Sequence, residues 1–340
     1  MRVVVRLIAL VSLGVVGSLT LVAQARAAEQ TLQDRPARPT VEVASIPMDP
    51  TDPTNTTIGQ LKYRGGLSLT RDDTEYGGYS GIWVSPDRSR LVAVQGDHWM
   101  RADLSYDGAG NLDGFTLKGL YPLLDEQGQV FKTEDDKDAE GIDFDGERYL
   151  VSFEGNMRVL AYDNLYDSAT RISLPPEALV DIPPVAGLSS VATLSDGTII
   201  TVSEYTYPDP PASREGYTSS RTRGWLKSAD AEGPIWLRAS NQWMPVSLAR
   251  MANDDLLVLE LSIADMANIN RARISRISRD QIAIGATMQT TVVAELAPPV
   301  HAPKVEAIAV GTGWNGETLI YVMSDTKGQN LIYMFELVEP

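Results

Sequence analysis

Short apolar runs broken by tight turns recur along most of this chain, while sustained helical periodicity is scarce. Five blocks share one plan: a small or acidic residue, an apolar strand, a turn, a second apolar strand, then an acid. Gly81-Ile82-Trp83-Val84 passes through Ser85-Pro86-Asp87 to Leu91-Val92-Ala93-Val94 and Asp97. Glu140-Gly141-Ile142 turns at Asp145-Gly146, continues as Tyr149 to Phe153 and ends at Glu154. Ser189-Ser190-Val191-Ala192 turns at Asp196-Gly197 and runs from Thr198 to Val202 and Glu204. Ser247-Leu248-Ala249 turns at Asn253-Asp254-Asp255, then Leu256 to Leu259 lead to Glu260. Glu306 to Val310 turn at Asn315-Gly316, and Thr318 to Met323 lead to Asp325. The Asp-Gly and Asn-Gly pairs suit hairpin turns whose central residues need positive φ.

Further strand-like pieces lie between the blocks: Arg158 to Tyr162, Ile235 to Arg238, Thr291 to Leu296 and Leu331 to Leu337. Equivalent positions recur roughly every 50–60 residues, which predicts an all-β propeller rather than a two-sheet sandwich. About 280 ordered residues at that period make five or six blades. Six is the expectation, with the last blade closed by chain from both ends. Ile263 to Ile277 has some helical spacing but lies where a hairpin should continue, so a short helix and a strand are both open there.

The N-terminal pattern differs. Arg2 and Arg6 precede an apolar run from Leu7 to about Ala23, and Ala25-Arg26-Ala27 offers a small-residue cleavage site. This predicts a general-secretion signal peptide over 1–27 and a periplasmic or secreted protein with no membrane span once the leader is removed. Residues 28–58, rich in Pro, Thr and Asp, read as a flexible linker whose last residues can join a sheet. The remainder, 59–340, is the propeller domain.

Composition narrows the chemistry. There is no cysteine and there are two histidines, which removes disulfides, thiolate metal sites and a cysteine nucleophile. Forty-five acidic against 29 basic residues give a formal charge of −16, which argues against a nucleic-acid partner. Losing Arg2, Arg6 and Arg26 with the leader takes the charge to about −19. Most of these carboxylates need only confer solubility. No G-x-S-x-G elbow, P-loop, dinucleotide fingerprint or H-E-x-x-H occurs; Gly78-Tyr79-Ser80-Gly81-Ile82 lacks the final glycine of the first.

Carboxylates are therefore the plentiful reactive groups, and some are periodic. Corresponding residues of propeller blades fall on one ring, so Asp97, Glu154, Glu204, Glu260 and Asp325 are expected around one channel mouth, with Glu140 and Glu306 adding to it. Clustered carboxylates repel unless a cation, donor or proton compensates, and Ca2+ takes six to eight oxygen ligands. The competing reading is that each acid only starts a turn or accepts backbone N–H bonds. The run Glu134-Asp135-Asp136-Lys137-Asp138 is a second cation candidate, with solvated loop acids as its plain alternative. Asp103 to Gly114 superficially resembles a calcium loop but lacks the twelfth-position Glu, and consecutive hairpin turns explain it better. His98, between Asp97 and Trp99, can act as general acid or base or as a structural donor. His301, in a proline-rich stretch, has weaker support. Arg101, Arg158, Lys304 and Lys327 lie near block ends, where an anion or plain solvation explains them equally.

The blocks resemble the phytase-like family, described as having esterase-like activity of phytase. The resemblance runs from Gly65-Gly66-Leu67 and Ser80-Gly81-Ile82 to Phe335-Glu336-Leu337. It is most specific at Asp138-Ala139-Glu140-Gly141-Ile142, Val151-Ser152-Phe153-Glu154 and Arg158. Leu194 to Gly197 with Ser203-Glu204, Leu256 to Glu260, and Glu306 to Ala309 with Ser324-Asp325 continue it. The resemblance implies an exported propeller related to calcium-dependent phosphate-ester hydrolases, acting on a small-molecule ester or phosphoester. Glu140, Glu154 and His98 are then the catalytic candidates. Asp97, Glu140, Glu154, Glu204, Glu260, Glu306 and Asp325 are the metal candidates. Several positions depart from the family pattern: Pro303-Lys304 replaces Asp-Asn, Lys327 replaces Asn, Ser189 replaces Glu, and Leu261 replaces Arg. Acids lost and lysines gained leave open a diverged propeller that binds a small ligand or cell-envelope partner without chemistry. Lactone hydrolysis is a third reading.

Overall fold

The computed structural model describes residues 40–71, 76–180, 182, 187–208, 220–239, 242–263 and 270–338. The signal-peptide and cleavage-site readings fall outside them. Apolar runs and positive-φ turns at Gly146, Gly197 and Gly316 fold the described residues into five sheets, antiparallel apart from one short edge strand. The innermost strands are Gly81–Val84, Ala139–Phe144, Leu188–Thr193, Trp243–Arg250 and Val305–Thr312. Each lies against the next, and the last lies against the first, so the sheets close into a ring of blades.

Blade 1 continues outward through Arg90–Gln95, His98–Tyr106 and Leu112–Pro122, and blade 2 through Tyr149–Phe153, Arg158–Tyr162 and Thr170–Ile172. Blade 3 adds Ile199–Pro208, Ser220–Lys227 and Glu232–Ala239, with Thr287–Met288 parallel on its edge. Blade 4 adds Leu256–Ser262, Ala272–Ile277 and Thr291–Leu296. Blade 5 adds Thr318–Ser324 and Gln329–Leu337, then Leu61–Thr70 from the other end of the chain. Glu42–Ser45 pairs outside that strand, so part of the expected linker is blade edge.

Five blades replace the expected six. Each block supplies the two inner strands of one blade, and the pieces between blocks supply outer strands, including Arg158–Tyr162 and Thr291–Leu296. Leu61–Thr70 completes blade 5 instead of starting a further one, so the described residues form five blades. Closure from both ends holds. Ala272–Ile277 is a strand, which decides against a helix in that part of 263–277; residues 264–269 lie outside the described set. The Asp103 to Gly114 stretch is a hairpin, with Asp107 accepting from the backbone of Ala109 and Asn111.

Apolar clusters fill the spaces between blades. One is centred on Leu259, Ile308 and Phe335, another on Leu69, Met100 and Tyr321, and a third on Trp99, Phe153 and Tyr162. Burial at roughly 25 cal/mol per Å2 makes these interfaces the main source of stability. The inner strands meet at glycines: a Cβ on Gly141 would stand 2.8 Å from Ser190 Cα, and one on Gly81 would stand 2.6 Å from the Glu140 carbonyl oxygen. These close approaches bring the starts of the inner strands together at one mouth.

A carboxylate cluster at one channel mouth

One residue near the start of the inner strand is set apart by a β-bulge in four blades, the second residue in three of them and the fourth in blade 4. The register slips between Ala139 and Gly141, Leu188 and Ser190, Pro245 and Ser247, and Val305 and Ala307. The residues left unpaired are Glu140, Ser189, Val246 and Glu306. A bulge re-aims the side chain it carries. Two of the four re-aimed residues are acids, and both join the cluster at this mouth.

Asp138, Glu140 and Glu154 each place a carboxylate oxygen within 4.8 Å of the others. Backbone pairing fixes two of them, because Glu154 N–H donates to the Asp138 carbonyl at 2.8 Å. Gly187 holds the next blade close: a Cβ there would stand 2.2 Å from the Glu154 carbonyl oxygen. Burial, then the charges of Glu204, Glu154, Asp138 and Glu306, pushes Glu140 well above the usual carboxylate range. Burial and Asp138 raise Glu154. Asp138 is raised by burial and, to a lesser degree, by Asp135 and Glu134. Burial and the charges of Glu154 and Asp138 push Glu204 up to about 8, against the pull of Lys304. Burial and mutual repulsion both favour the protonated form of these acids.

The other side of the mouth carries its own cation. Lys304 Nζ pairs with Asp325 and lies 3.5 Å from Glu306, from a backbone at φ 45°. Asp325 N–H closes the arrangement on the Lys304 carbonyl at 2.7 Å. Glu306 is raised by burial and by Asp325, with Lys304 opposing.

The remaining expected residues divide. Glu260 is fully buried and receives Arg273 Nε at 2.8 Å, Arg273 Nη2 at 2.6 Å and Ser275 Oγ at 2.7 Å. Its acceptor capacity is spent on blade 4, and the structure does not bring it into the cluster. Asp97 engages His98 Nδ1 at 2.5 Å and Lys137 at 3.8 Å. His98 is partly exposed beside it. The His301 carbonyl accepts from Tyr333 Oη at 2.7 Å. Arg158 stacks 3.9 Å from the Phe153 ring and donates to the Asp136 and Asn156 carbonyls, which is a packing role.

Asp138 is not among the ring acids expected from the repeat; it belongs to the acidic run read as a second cation candidate, with solvated loop acids as the alternative. Its position one residue before the inner strand that carries Glu140 is the feature that keeps the cation reading of that run open. Asp136 and Glu134, its neighbours, stay with Asn156 and Lys137 at the surface.

The cluster fits a hard divalent ion. Oxygens bound to Ca2+ at about 2.3–2.6 Å lie within about 5 Å of one another, the span that Asp138, Glu140 and Glu154 provide. On the other side, the ammonium of Lys304 already compensates Glu306 and Asp325.

A family model described as phytase-like, esterase-like activity of phytase, matches residues 74–327. No curated protein matches. Among solved structures, the chain is similar to the pyranose dehydrogenase PQQ domain from Coprinopsis cinerea at 10% identity and TM-score 0.43, covering 87% of this chain and 98% of that one. It is also similar to a calcium structure of a Trichoderma reesei family AA12 carbohydrate-active enzyme, at 10% identity and TM-score 0.41, covering 86% and 95%. No helix among the described residues is long and apolar enough to cross a membrane.

Proposed function

This chain belongs to the phytase-like family, and from that premise we propose that it hydrolyses phosphate or carboxylic esters at the acidic mouth with one bound divalent cation, Ca2+ by its ligand chemistry. The observation that carries the proposal is the convergence of Asp138, Glu140 and Glu154 within 4.8 Å. These three residues would hold the ion, and Glu204 would complete the set. When bound, such an ion polarises an ester oxygen and lowers the pKa of a water it holds.

Without a cation, burial and the neighbouring acids push Glu204 up to about 8, and a bound cation would favour its ionised, ligating form. His98, with Nδ1 engaged by Asp97, keeps Nε2 for proton delivery to a leaving group at the rim. Lys304 holds Glu306 and Asp325 in place and reduces repulsion toward an anionic substrate. The leader sequence supports export of this protein to the periplasm or beyond.

Turnover of p-nitrophenyl phosphate, p-nitrophenyl acetate and a γ-lactone, each with Ca2+ and with chelator, tests this reading. Cation-dependent turnover that Glu140→Gln and Glu154→Gln abolish is the expected result. No turnover on any of the three, with cation binding intact, would support the second reading, a propeller that binds a small ligand without chemistry. Lys304 at the Glu306–Asp325 pair and Ser189 at a bulge position favour that alternative. Turnover confined to the lactone would redefine the substrate without changing the site.

A further inference from the structure

The inner strands end at a second mouth. Their last residues, Val84, Phe144, Thr193, Arg250 and Thr312, rim a cavity of about 780 Å3. Small-molecule sites commonly enclose about 300–1,000 Å3. The lining reaches inward to Ile82, Ile142, Leu248 and Ile308, all buried. Glu140 and Glu306 lie beyond these residues on the same strands, toward the other mouth, so the cavity is separate from the acidic cluster.

Two charges of opposite sign and two aromatic rings set its chemistry. Trp83 and Phe144 are half-buried, with ring centroids 5.2 Å apart. Asp143, on the strand end beside Phe144, accepts from Thr193 N–H through Oδ2 at 2.6 Å. Burial pushes its carboxyl up to about 6, with Arg250 among the groups that oppose the rise. Arg250 gives Nη1 to Asp254 at 3.3 Å and is partly exposed. Asp145, also in the lining, is taken up by Arg148 and the Glu147 backbone. Asp254 is likewise taken up by Ser195 and Arg250.

Asp143 is held only by neutral donors of Thr193 and Phe144, and the one contact of Arg250 to Asp254, through Nη1 at 3.3 Å, leaves its Nε and Nη2, so these two are the charges that address a ligand. A simple anion would meet Asp143 and a simple cation would meet Arg250, whereas a molecule carrying both signs satisfies both. Its apolar body would cover Trp83 and Phe144, whose faces also favour an ammonium group. We propose that this cavity binds a small zwitterion with an aromatic or bulky apolar body, an α-amino acid or short peptide, with its ammonium toward Asp143 and its carboxylate on Arg250. This site is independent of the reaction assigned to the acidic mouth.

Calorimetric titration of the mature protein with L-phenylalanine, leucyl-phenylalanine, 3-phenylpropionate and phenethylamine tests the proposal. At least one zwitterion is expected to bind, and deleting either charge is expected to weaken binding by about tenfold or more, as charged hydrogen bonds do. The tighter of the two zwitterions identifies an amino acid or a peptide as the occupant. Arg250→Met, checked for unchanged fold by circular dichroism, is expected to weaken zwitterion binding about tenfold and to strengthen binding of phenethylamine, whose ammonium no longer meets a like charge. Failure of both zwitterions to bind would overturn the proposal. So would equal binding of the charge-deleted probes, or zwitterion binding that Arg250→Met leaves unchanged.

Discussion

Lys304 Nζ stands 3.5 Å from a carboxylate oxygen of Glu306 and also pairs with Asp325, so one lysine supplies a fixed positive charge to half of an acidic channel mouth. Removing it would leave two acids facing each other across neighbouring strands. Lys304→Met is expected to lower stability by about 1–2 kcal/mol, a figure reduced for the lysine's partial exposure. Added Ca2+ should restore more of the Tm in this variant than it adds to the wild type. Thermal melts with Ca2+ and with chelator check this, and equal cation shifts in both proteins would contradict it.

The raised acids make stability depend on pH with a defined sign. Glu140, Glu154 and Glu204 bind protons more tightly folded than unfolded, with Glu204 at about 8. Their contribution is full below the ordinary Glu value of about 4.3 and is lost as pH rises toward about 8. In chelator, Tm should therefore fall between about pH 5 and pH 8, by an amount equivalent to a few kcal/mol. A cation competes with those protons, so Ca2+ should flatten the decline. A chelator curve that is flat or rises across this interval would count against the cluster.

Glu260 ends an apolar strand as Glu154 does, yet its surroundings predict a different response. Glu260→Ala would strand the guanidinium of Arg273, itself largely buried, and cost about 3–5 kcal/mol. The Ca2+-induced Tm shift should be unchanged. Urea denaturation gives the first quantity and a cation titration of the same variant gives the second; loss of the cation response would make Glu260 a ligand.

Gly141→Ala tests how the blades meet. Its Cβ would lie 2.8 Å from Ser190 Cα and 2.9 Å from Val191 N, both backbone atoms that cannot swing aside. A loss of about 1–3 kcal/mol is expected from the overpacking, with weaker cation binding because Glu140 is the adjacent residue. Equilibrium denaturation that leaves stability unchanged would show that the inner strands separate more easily than these contacts imply.

Much of this architecture is written in local pattern. Apolar runs and tight polar turns, Asp-Gly in two blades and Asn-Gly in a third, mark both inner strands of each blade, and strands such as Arg158–Tyr162 and Thr291–Leu296 fall where the apolar residues place them. The count failed by one because spacing alone does not say whether Leu61–Thr70 starts a blade or completes one; its pairing with Gln329–Leu337 decides. Glu154 and Glu260 look alike in sequence because each follows an apolar strand. What separates them is the third strand, which sets Arg273 opposite Glu260 but Arg158 opposite Phe153. Bulges are similarly hidden. Glu140 and Glu306 are re-aimed by a slip in pairing that depends on the partner strand and leaves no mark in hydrophobic period.

Calorimetric titration of Ca2+ into the wild type and into Glu140→Gln tests the central claim most directly. The account predicts saturable binding of one ion per chain in the wild type, and its loss or a weakening of about tenfold or more in the variant, since a ligand oxygen and its charge are both removed. Identical titrations of the two proteins, or no binding by the wild type, would contradict it.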